Sequence, residues 1–279
     1  MSGKQERNVA VLGLGLIGGV WARHLESDGR LAATWNRTPQ AAAPRGVGSP
    51  LAAAEQADVL IVVVSDPAAV EAVVCALAPG LSARHLVIQS STIGPADSTR
   101  VRGLVEARGA RYLEAPFTGS RPAAEARQTV YYLGGAPALV AKAEPVLARL
   151  SAQRFHIGSG EQACALKLAM NLQIATLAEA LCEALQVART AGIADDVFFD
   201  CMRGNVAWSG LAALKEPKLR TGDYAPQFSV KHLLKDLRLL QQHTGPRPAL
   251  DTLIAQLQAA ADHGQADQDF IALYEQVRR

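Results

Sequence analysis

The chain has 279 residues, enough for one large domain or two modest ones, and a protein of that length buries about three quarters of the surface its unfolded chain exposes. With 28 basic and 26 acidic side chains the formal net charge is +2, a balance that gives no electrostatic case for nucleic acid or an anionic membrane as a partner. A small-molecule partner is the remaining class.

The first apolar run, Val9-Ala10-Val11-Leu12, leads at once into Gly13-Leu14-Gly15-Leu16-Ile17-Gly18 and then into a helix-like stretch ending near Ser27. A strand, a glycine turn and a helix in that order bring bare backbone N–H groups and the positive end of a helix dipole to a pyrophosphate. The same pattern also serves ordinary βα turns, but its flanks favour a dinucleotide site at Gly13, Gly15, Leu16, Ile17 and Gly18. About 20 residues beyond such a turn, an NAD-binding chain usually ends its second strand on Asp or Glu, which accepts from the ribose 2′-hydroxyl. Here Leu31 to Trp35 runs into Asn36-Arg37-Thr38 with no acid. A guanidinium and two small polar groups suit a 2′-phosphate, so NADP(H) is the expected cofactor, with Arg37 as a merely solvated loop residue the alternative.

Through residue 157 short apolar runs alternate with helix-like stretches, which predicts parallel strands buried on both faces in a doubly wound α/β sheet. The strands fall near Val9 to Leu12, Leu31 to Trp35, Val59 to Val64, Leu86 to Gln89, Tyr112 to Glu114 and Val130 to Leu133, with a short one at Arg154 to Ile157. Ligands of such sheets bind beyond the carboxyl ends of the strands, so Ser65-Asp66-Pro67, Ser90-Ser91-Thr92 and Ala115 to Arg121 should face cofactor or substrate. Plain capping by Asp66 before Pro67 and by Thr92 before Gly94 competes with that role.

From Gln162 to Arg189 apolar residues recur at helical spacing without Gly or Pro, predicting one long helix ended by Gly192. Leu166, Met170, Ile174, Leu177, Leu181 and Leu185 make its stripe. Asp195 to Arg203, Ser229 to Gln242 and Ala249 to His263 then read as further helices, so an all-α domain over 161–279 follows an α/β domain over 1–160. Four cysteines, Cys75, Cys164, Cys182 and Cys201, lie in apolar surroundings without metal spacing; reduced core thiols and no metal are expected. Met1 to Asn8 lacks the apolar stretch of a signal peptide, and Val59 to Val64 is too short for a bilayer, so a cytoplasmic protein is expected.

Lys167 and Asn171, four apart, share one face of the long helix. A solvated helix edge is the ordinary account of such a pair. The chemical account is that a reductase delivering hydride to a carbonyl carbon must also protonate the oxygen, and a desolvated lysine supplies that proton while an asparagine orients the oxygen. Lys231 and Lys235, with Asp236 beside the latter, read as a charged helical face.

Four stretches in order resemble the β-hydroxyacid dehydrogenase family over nearly the whole chain. They are the turn Val11 to Gly18, Glu114-Ala115-Pro116-Phe117-Thr118-Gly119, Lys167-Leu168-Ala169-Met170-Asn171 and Lys235-Asp236-Leu237. Within that family the chain resembles glyoxylate and succinic semialdehyde reductases, through Asn36 to Thr38, Ser65 to Pro67 and Lys231 to Asp236. The resemblance implies a Rossmann-type domain joined by the long helix to the all-α domain, with NADPH as cofactor. It implies Lys167 as proton donor, Asn171 as substrate-positioning residue, Thr118, Gly119 and Ser120 at the substrate carboxylate, and Ser65, Asp66, Pro67 and Thr92 at the cofactor. Lys235 would close over the site and touch both. The substrate is then a small carbonyl compound bearing a carboxylate, and the helical domain is expected to pair with further copies as a homodimer or homotetramer.

Phe117 and Thr118 replace the family's usual Val and Ser, Arg127 stands where Gly is common, and Trp208 lies in a segment that often borders the substrate. Imine reduction is the nearest rival, since imine reductases share the Trp35 to Thr38 stretch, but they generally carry Asp or Tyr in place of Lys167. A third possibility is a non-catalytic NADP-binding module.

Overall fold

The computed structural model describes residues 8–278, so Met1 to Arg7 of the polar start lie outside the described residues. The chain divides into two compact units with the boundary between Lys167 and Leu168.

The first unit is built on strands β1 (Val9–Leu12), β2 (Leu31–Trp35), β3 (Val59–Val62), β4 (Leu86–Gln89) and β5 (Arg111–Glu114), ordered β2-β1-β3-β4-β5 and all parallel. Successive strand residues point to opposite faces. Val9, Val11, Ile61 and Ile88 therefore pack on α1 (Gly18–Ser27) through Trp21, Ala22 and Leu25, and on α6 (Pro137–Leu147) through Ala143, Val146 and Leu147. Ala10, Leu12, Leu60, Val62 and Val87 pack on α2 (Pro50–Gln56), α3 (Pro67–Leu77) and α4 (Pro95–Glu106). Burial on both faces explains why these strands read as unbroken apolar runs.

The sheet departs from uniform parallel order after β5. A short strand the sequence reading missed, β6 (Phe117–Thr118), and β7 (Thr129–Gly134) lie antiparallel to one another, β7 is also antiparallel to β5, and β8 (Ser151–Gly158) returns parallel to β7. Length decides this. Only ten residues, including the one-turn helix α5 (Arg121–Glu125), separate β6 from β7, fewer than a parallel crossover usually needs. The α6 helix supplies such a crossover before β8.

The long helix α7 (Gly160–Thr190) continues into the second unit, which adds α8 (Asp195–Arg203), α9 (Gly210–Thr221), α10 (Val230–Thr244), α11 (Pro248–Ala260) and α12 (Tyr274–Val277). Its core joins Leu168, Ala175, Ala178, Leu181, Cys182 and Leu185 of α7 to Leu233, Leu237, Leu253 and Leu257. The apolar stripe expected on α7 is therefore displaced: Leu181 and Leu185 are buried, Leu166, Ile174 and Leu177 are half-buried, and Met170 is exposed. Small residues, Ala175, Ala178 and Cys182, occupy the inward positions instead, where close helix packing leaves little room. By length and hydropathy α7 also matches a bilayer span, so the expectation that no segment is long enough was too strict; its buried Lys167 and Asn171 fit a protein core.

Helix α9 was not expected, because Pro217 stands inside it; Ser209 caps its start, accepting from Ala212 N at 3.2 Å, and Gly222 ends it at φ 68°. The expected helix through His263 stops at Ala260 and passes into a π turn, 261–265, where Gly264 takes φ 83°. Of the cysteines, Cys164 and Cys182 are buried, but Cys75 and Cys201 are exposed at helix surfaces and do not belong to the core.

Candidate active site

The glycine turn shows three different constraints. A Cβ on Gly13, whose φ is +104°, would lie 2.1 Å from the Val63 carbonyl oxygen, and one on Gly18 would lie 2.0 Å from the Gly13 oxygen. Gly15 faces open space, with no atom within 4 Å of an added Cβ. The outer two glycines thus close the turn against the sheet, whereas the middle one leaves a surface that only a ligand would need bare. Helix α1 has Ile17 at its N-cap position and no side-chain cap, and although Gly19 N donates to Gly15 O at 3.1 Å, no side chain neutralises the positive end of the helix against an anion. A pyrophosphate fits that cradle.

Asn36 supports the turn from the end of β2: its Oδ1 accepts from Leu14 N at 2.9 Å and its Nδ2 donates to Thr38 O at 2.7 Å. Gln40 adds a second brace, donating to Leu14 O at 3.0 Å. The expected cofactor residue Asn36 is therefore occupied with shaping the turn, while Arg37 and Thr38 beside it are exposed. Gln40 was missed; no local pattern marks a brace reaching back 26 residues.

At the ends of β3 and β4 the expected loop residues divide by role. Asp66 is the N-cap of α3, accepting from Ala69 N at 2.8 Å and from the Ser65 hydroxyl at 2.6 Å, with Pro67 in the first turn. Capping, the competing reading, is thus what the geometry shows for Asp66. Beyond Thr92, Gly94 holds the N-cap position of α4, and Asp97 accepts from its N–H at 3.2 Å.

Beneath these loops lies a buried polar network absent from the sequence reading. The Gln89 amide accepts from Ser91 N at 2.6 Å and donates to Ser91 O at 2.9 Å and to Glu114 Oε1 at 2.7 Å. Ser98 Oγ and Tyr112 OH each donate to Glu114 Oε2 at 2.6 Å, and the Ser91 hydroxyl accepts from Val64 N at 2.8 Å. Complete burial pushes the Glu114 carboxyl up to about 7, against the pull of these donors. The available signal was an acid following Tyr112-Leu113 at the end of its strand.

Thr118 sits on β6 opposite Val130, and Gly119 follows at φ +124°, where a Cβ would meet Thr129 Cγ2 at 3.1 Å and Ala123 Cβ at 3.2 Å. Ser120 then starts α5 without capping it by its side chain. Phe117 finds its reason in an aromatic cluster, its ring 4.8 Å from Trp21 and 6.0 Å from Tyr131. Arg127 adopts φ 58° and makes a two-pronged ion pair with Asp28, at 2.8 and 2.9 Å, while donating to Arg149 O. It anchors the far end of α1, at the opposite terminus from the glycine turn.

On α7, Lys167 and Asn171 are not a solvated edge: their relative exposures are 7 % and 1 %. In the second unit Asn171 Nδ2 donates to Asp236 Oδ2 at 2.6 Å, and Lys235 Nζ lies 2.8 Å from Asp236 Oδ1. Asp236, 2 % exposed, thus joins two expected site residues and was itself underrated as part of a charged face. Its position gives it away, since it shares the inward side of α10 with Leu233, Leu237 and Leu240, where an acid requires partners. Trp208 is half-buried against the helical core under the Arg203 guanidinium, 5.5 Å from its ring, and Arg203 is held in turn by Glu216 at 2.7 Å. Among the described residues no cluster of His, Cys, Asp or Glu could hold a metal.

The fold and site define a two-unit nicotinamide-dependent oxidoreductase. Residues 8–158 match the model of the NAD binding domain of 6-phosphogluconate dehydrogenase, and residues 158–277 match that of the NAD-binding domain of NADP-dependent 3-hydroxyisobutyrate dehydrogenase. An uncharacterized oxidoreductase of Synechocystis is 31% identical over 96% of this chain and 98% of its own length. Glyoxylate/succinic semialdehyde reductase 2 of Arabidopsis thaliana is 26% identical over 97% of this chain and 79% of its own. The 3-hydroxyisobutyrate dehydrogenase of Mycobacterium tuberculosis, solved with L-serine, superposes with a TM-score of 0.88 at 26% identity, covering 98% of this chain and 99% of that one. The chain belongs to the β-hydroxyacid dehydrogenase family, whose members are NAD(P)-dependent.

Proposed function

We propose that this protein reduces a small aldehyde or keto acid, of the glyoxylate or succinic semialdehyde kind, to the hydroxy acid at the expense of NADPH. The observation that carries the proposal is the burial of Lys167 and Asn171 one turn apart on α7, with the asparagine amide oriented by Asp236. The Arabidopsis relative, by its name a glyoxylate/succinic semialdehyde reductase, supports the substrate class. Arg37, exposed beside the glycine turn with no acid nearby in its strand end, supports NADPH over NADH.

Gly13 to Gly18 would hold the pyrophosphate, Arg37 and Thr38 the 2′-phosphate, and Ser65 and Thr92 the remainder of the dinucleotide. Once bound, the nicotinamide supplies the hydride for the carbonyl carbon. Lys167 gives its proton to the carbonyl oxygen, and takes it back in the oxidative direction. Asn171, its Nδ2 donating to Asp236, would position the substrate from the same helix. Thr118 Oγ and the backbone N–H groups around Gly119 receive the substrate carboxylate, an anion well matched to donors in a turn that only glycine can adopt.

The test is turnover of purified protein with NADPH or NADH against glyoxylate, succinic semialdehyde, methylglyoxal and a cyclic imine. Reduction of an aldehyde acid, lost in Lys167→Ala, is the expected result. Oxidation of NADPH by the imine alone would replace the proposal with imine reduction, and tight NADPH binding without turnover of any acceptor would leave a binding module.

A further inference from the structure

Glu114 stands at the end of β5 where β4, α4 and the start of α7 meet, and its partners reach the loops after β3 and β4 that carry Ser65 and Thr92. Through Gln89 it holds the Ser91 backbone at both its N–H and its carbonyl, and through Ser91 Oγ it reaches Val64 N, at the start of the loop carrying Ser65. Its own backbone leads directly into Ala115-Pro116-Phe117-Thr118. On its other side a Cβ on Gly160 would come within 3.3 Å of Glu114 Cβ and 3.0 Å of Ser98 Oγ, so the first turn of α7 lies directly against it. That turn is further tied to α4: Glu161 accepts from Thr99 Oγ1 at 2.7 Å and pairs with Arg102 at 2.8 Å. Lys167 follows two turns later on the same helix.

We propose that Glu114 is a positioning residue whose carboxylate, by accepting from Gln89, Ser98 and Tyr112 together, sets the loops after β3, β4 and β5 and the start of α7 in the geometry that binds the nicotinamide cofactor. The proposal rests on the cofactor assignment made above, not on the choice of substrate. The Gln89 amide and the Ser98 and Tyr112 hydroxyls converge on one carboxylate with the Cys164 thiol beside them, and the arrangement in which all of them donate to it holds only while Glu114 is ionised. The titratable groups facing it are Tyr112 on its own strand and Cys164 on α7, and burial raises both of their pKa values well above their usual range. Each therefore stays neutral through the interval in which Glu114 titrates, near 7. Protonation would turn one acceptor into a donor aimed at Ser98 and Tyr112, and the clamp on Ser91 would lose its charged anchor.

Cofactor binding is the direct readout and needs no carbonyl substrate, so a wrong substrate assignment would leave this test intact. Binding of NADPH, and of NADH, which has no 2′-phosphate to titrate, would be followed by nicotinamide fluorescence from about pH 5.5 to about pH 8.5 in the wild type, Glu114→Gln and Ser98→Ala. At the alkaline end Glu114→Gln should bind the better cofactor about tenfold more weakly than the wild type, and the difference should vanish below the Glu114 titration, where the wild type has lost its charge as well. Ser98→Ala, which removes a donor that favours the ionised form, should move the midpoint to higher pH. Amide exchange at Val64 and Ser91 should accelerate in step with the loss of affinity. A Glu114→Gln protein that binds as the wild type does at every pH would overturn the proposal, and so would a uniform weakening with no pH dependence, since that is what a purely structural role predicts. If Glu114→Gln does not fold, an unmoved midpoint in Ser98→Ala is sufficient to reject it.

Discussion

The glycine turn of the first unit and the polar cluster of α7 and α10 in the second handle buried polarity in opposite ways. The turn works by removing side chains: Gly13 and Gly18 bring backbone against backbone, and Gly15 leaves open space at the surface. The cluster works by adding them: buried Asn171 donates to buried Asp236, and half-buried Lys235 pairs with the same carboxylate. A backbone site therefore depends on a few positions where any Cβ is excluded and tolerates variation elsewhere. A side-chain site loses function and stability together when one member is deleted, because its partner is left buried and unpaired.

The largest expected effect separates chemistry from binding. Lys167→Ala should lower kcat by about 10²- to 10⁴-fold, the usual worth of a general acid, without changing the dissociation constant for NADPH. Equal losses in kcat and in cofactor affinity would show that the lysine belongs to the binding surface. Next come the glycines. Gly13→Ala drives a Cβ to 2.1 Å from a carbonyl oxygen and should cost on the order of 3 kcal/mol of stability, visible as a lower Tm. Gly15→Ala meets nothing in the chain, so it should melt like the wild type and yet bind NADPH about tenfold more weakly, a cost of ~1.4 kcal/mol. If both variants fall equally in Tm, the distinction between closing and exposing glycines is wrong.

In the second unit, Asp236→Ala removes the acceptor of Asn171 Nδ2 and should cost about 1–3 kcal/mol in denaturant unfolding together with a drop in kcat/KM. Arg37→Asp should reverse cofactor preference by about ten- to a hundredfold toward NADH, as loss of a charge-assisted bond of ~1.5–3 kcal/mol predicts, and an unchanged preference would remove the 2′-phosphate assignment. The smallest effect concerns Arg127. Its hydrogen bonds to Asp28 hold that carboxyl below the ordinary aspartate range. A depressed folded pKa contributes stability above the unfolded value and loses it as pH falls through the folded one, so the advantage of the wild type over Asp28→Asn should be about 1 kcal/mol at neutrality and should fade under acid. A difference independent of pH would mean that packing, not the ion pair, keeps Arg127 at positive φ.

Much of the site was legible because its constraints are local. A turn that admits only glycine prints Gly13 and Gly18 into the chain, parallel strands buried on both faces print Val9 to Leu12 and Leu86 to Gln89 as apolar runs, and helical spacing puts Lys167 and Asn171 on one side. Less legible were the partners. Glu114 draws its donors from Gln89 and Ser98, 25 and 16 residues away, and Asn171 its acceptor from Asp236, 65 residues away, so neither pairing leaves a periodic trace. Helix α9 was hidden by Pro217, and the true inward face of α7 by its small residues, which pack closely without looking hydrophobic enough to mark a stripe.

By itself, then, the sequence determined the order of most elements, the glycine turn and the spacing of Lys167 and Asn171 on one helix, because each depends on backbone conformation or on spacing within one element. Only the tertiary structure decided which polar residues are buried, that Asp66 caps a helix, that Asn36 braces a turn, that Arg127 holds Asp28, and that Glu114 gathers three donors. Desolvation and long-range hydrogen bonding act through distances in space, and a distance in space is fixed only when the whole chain has packed.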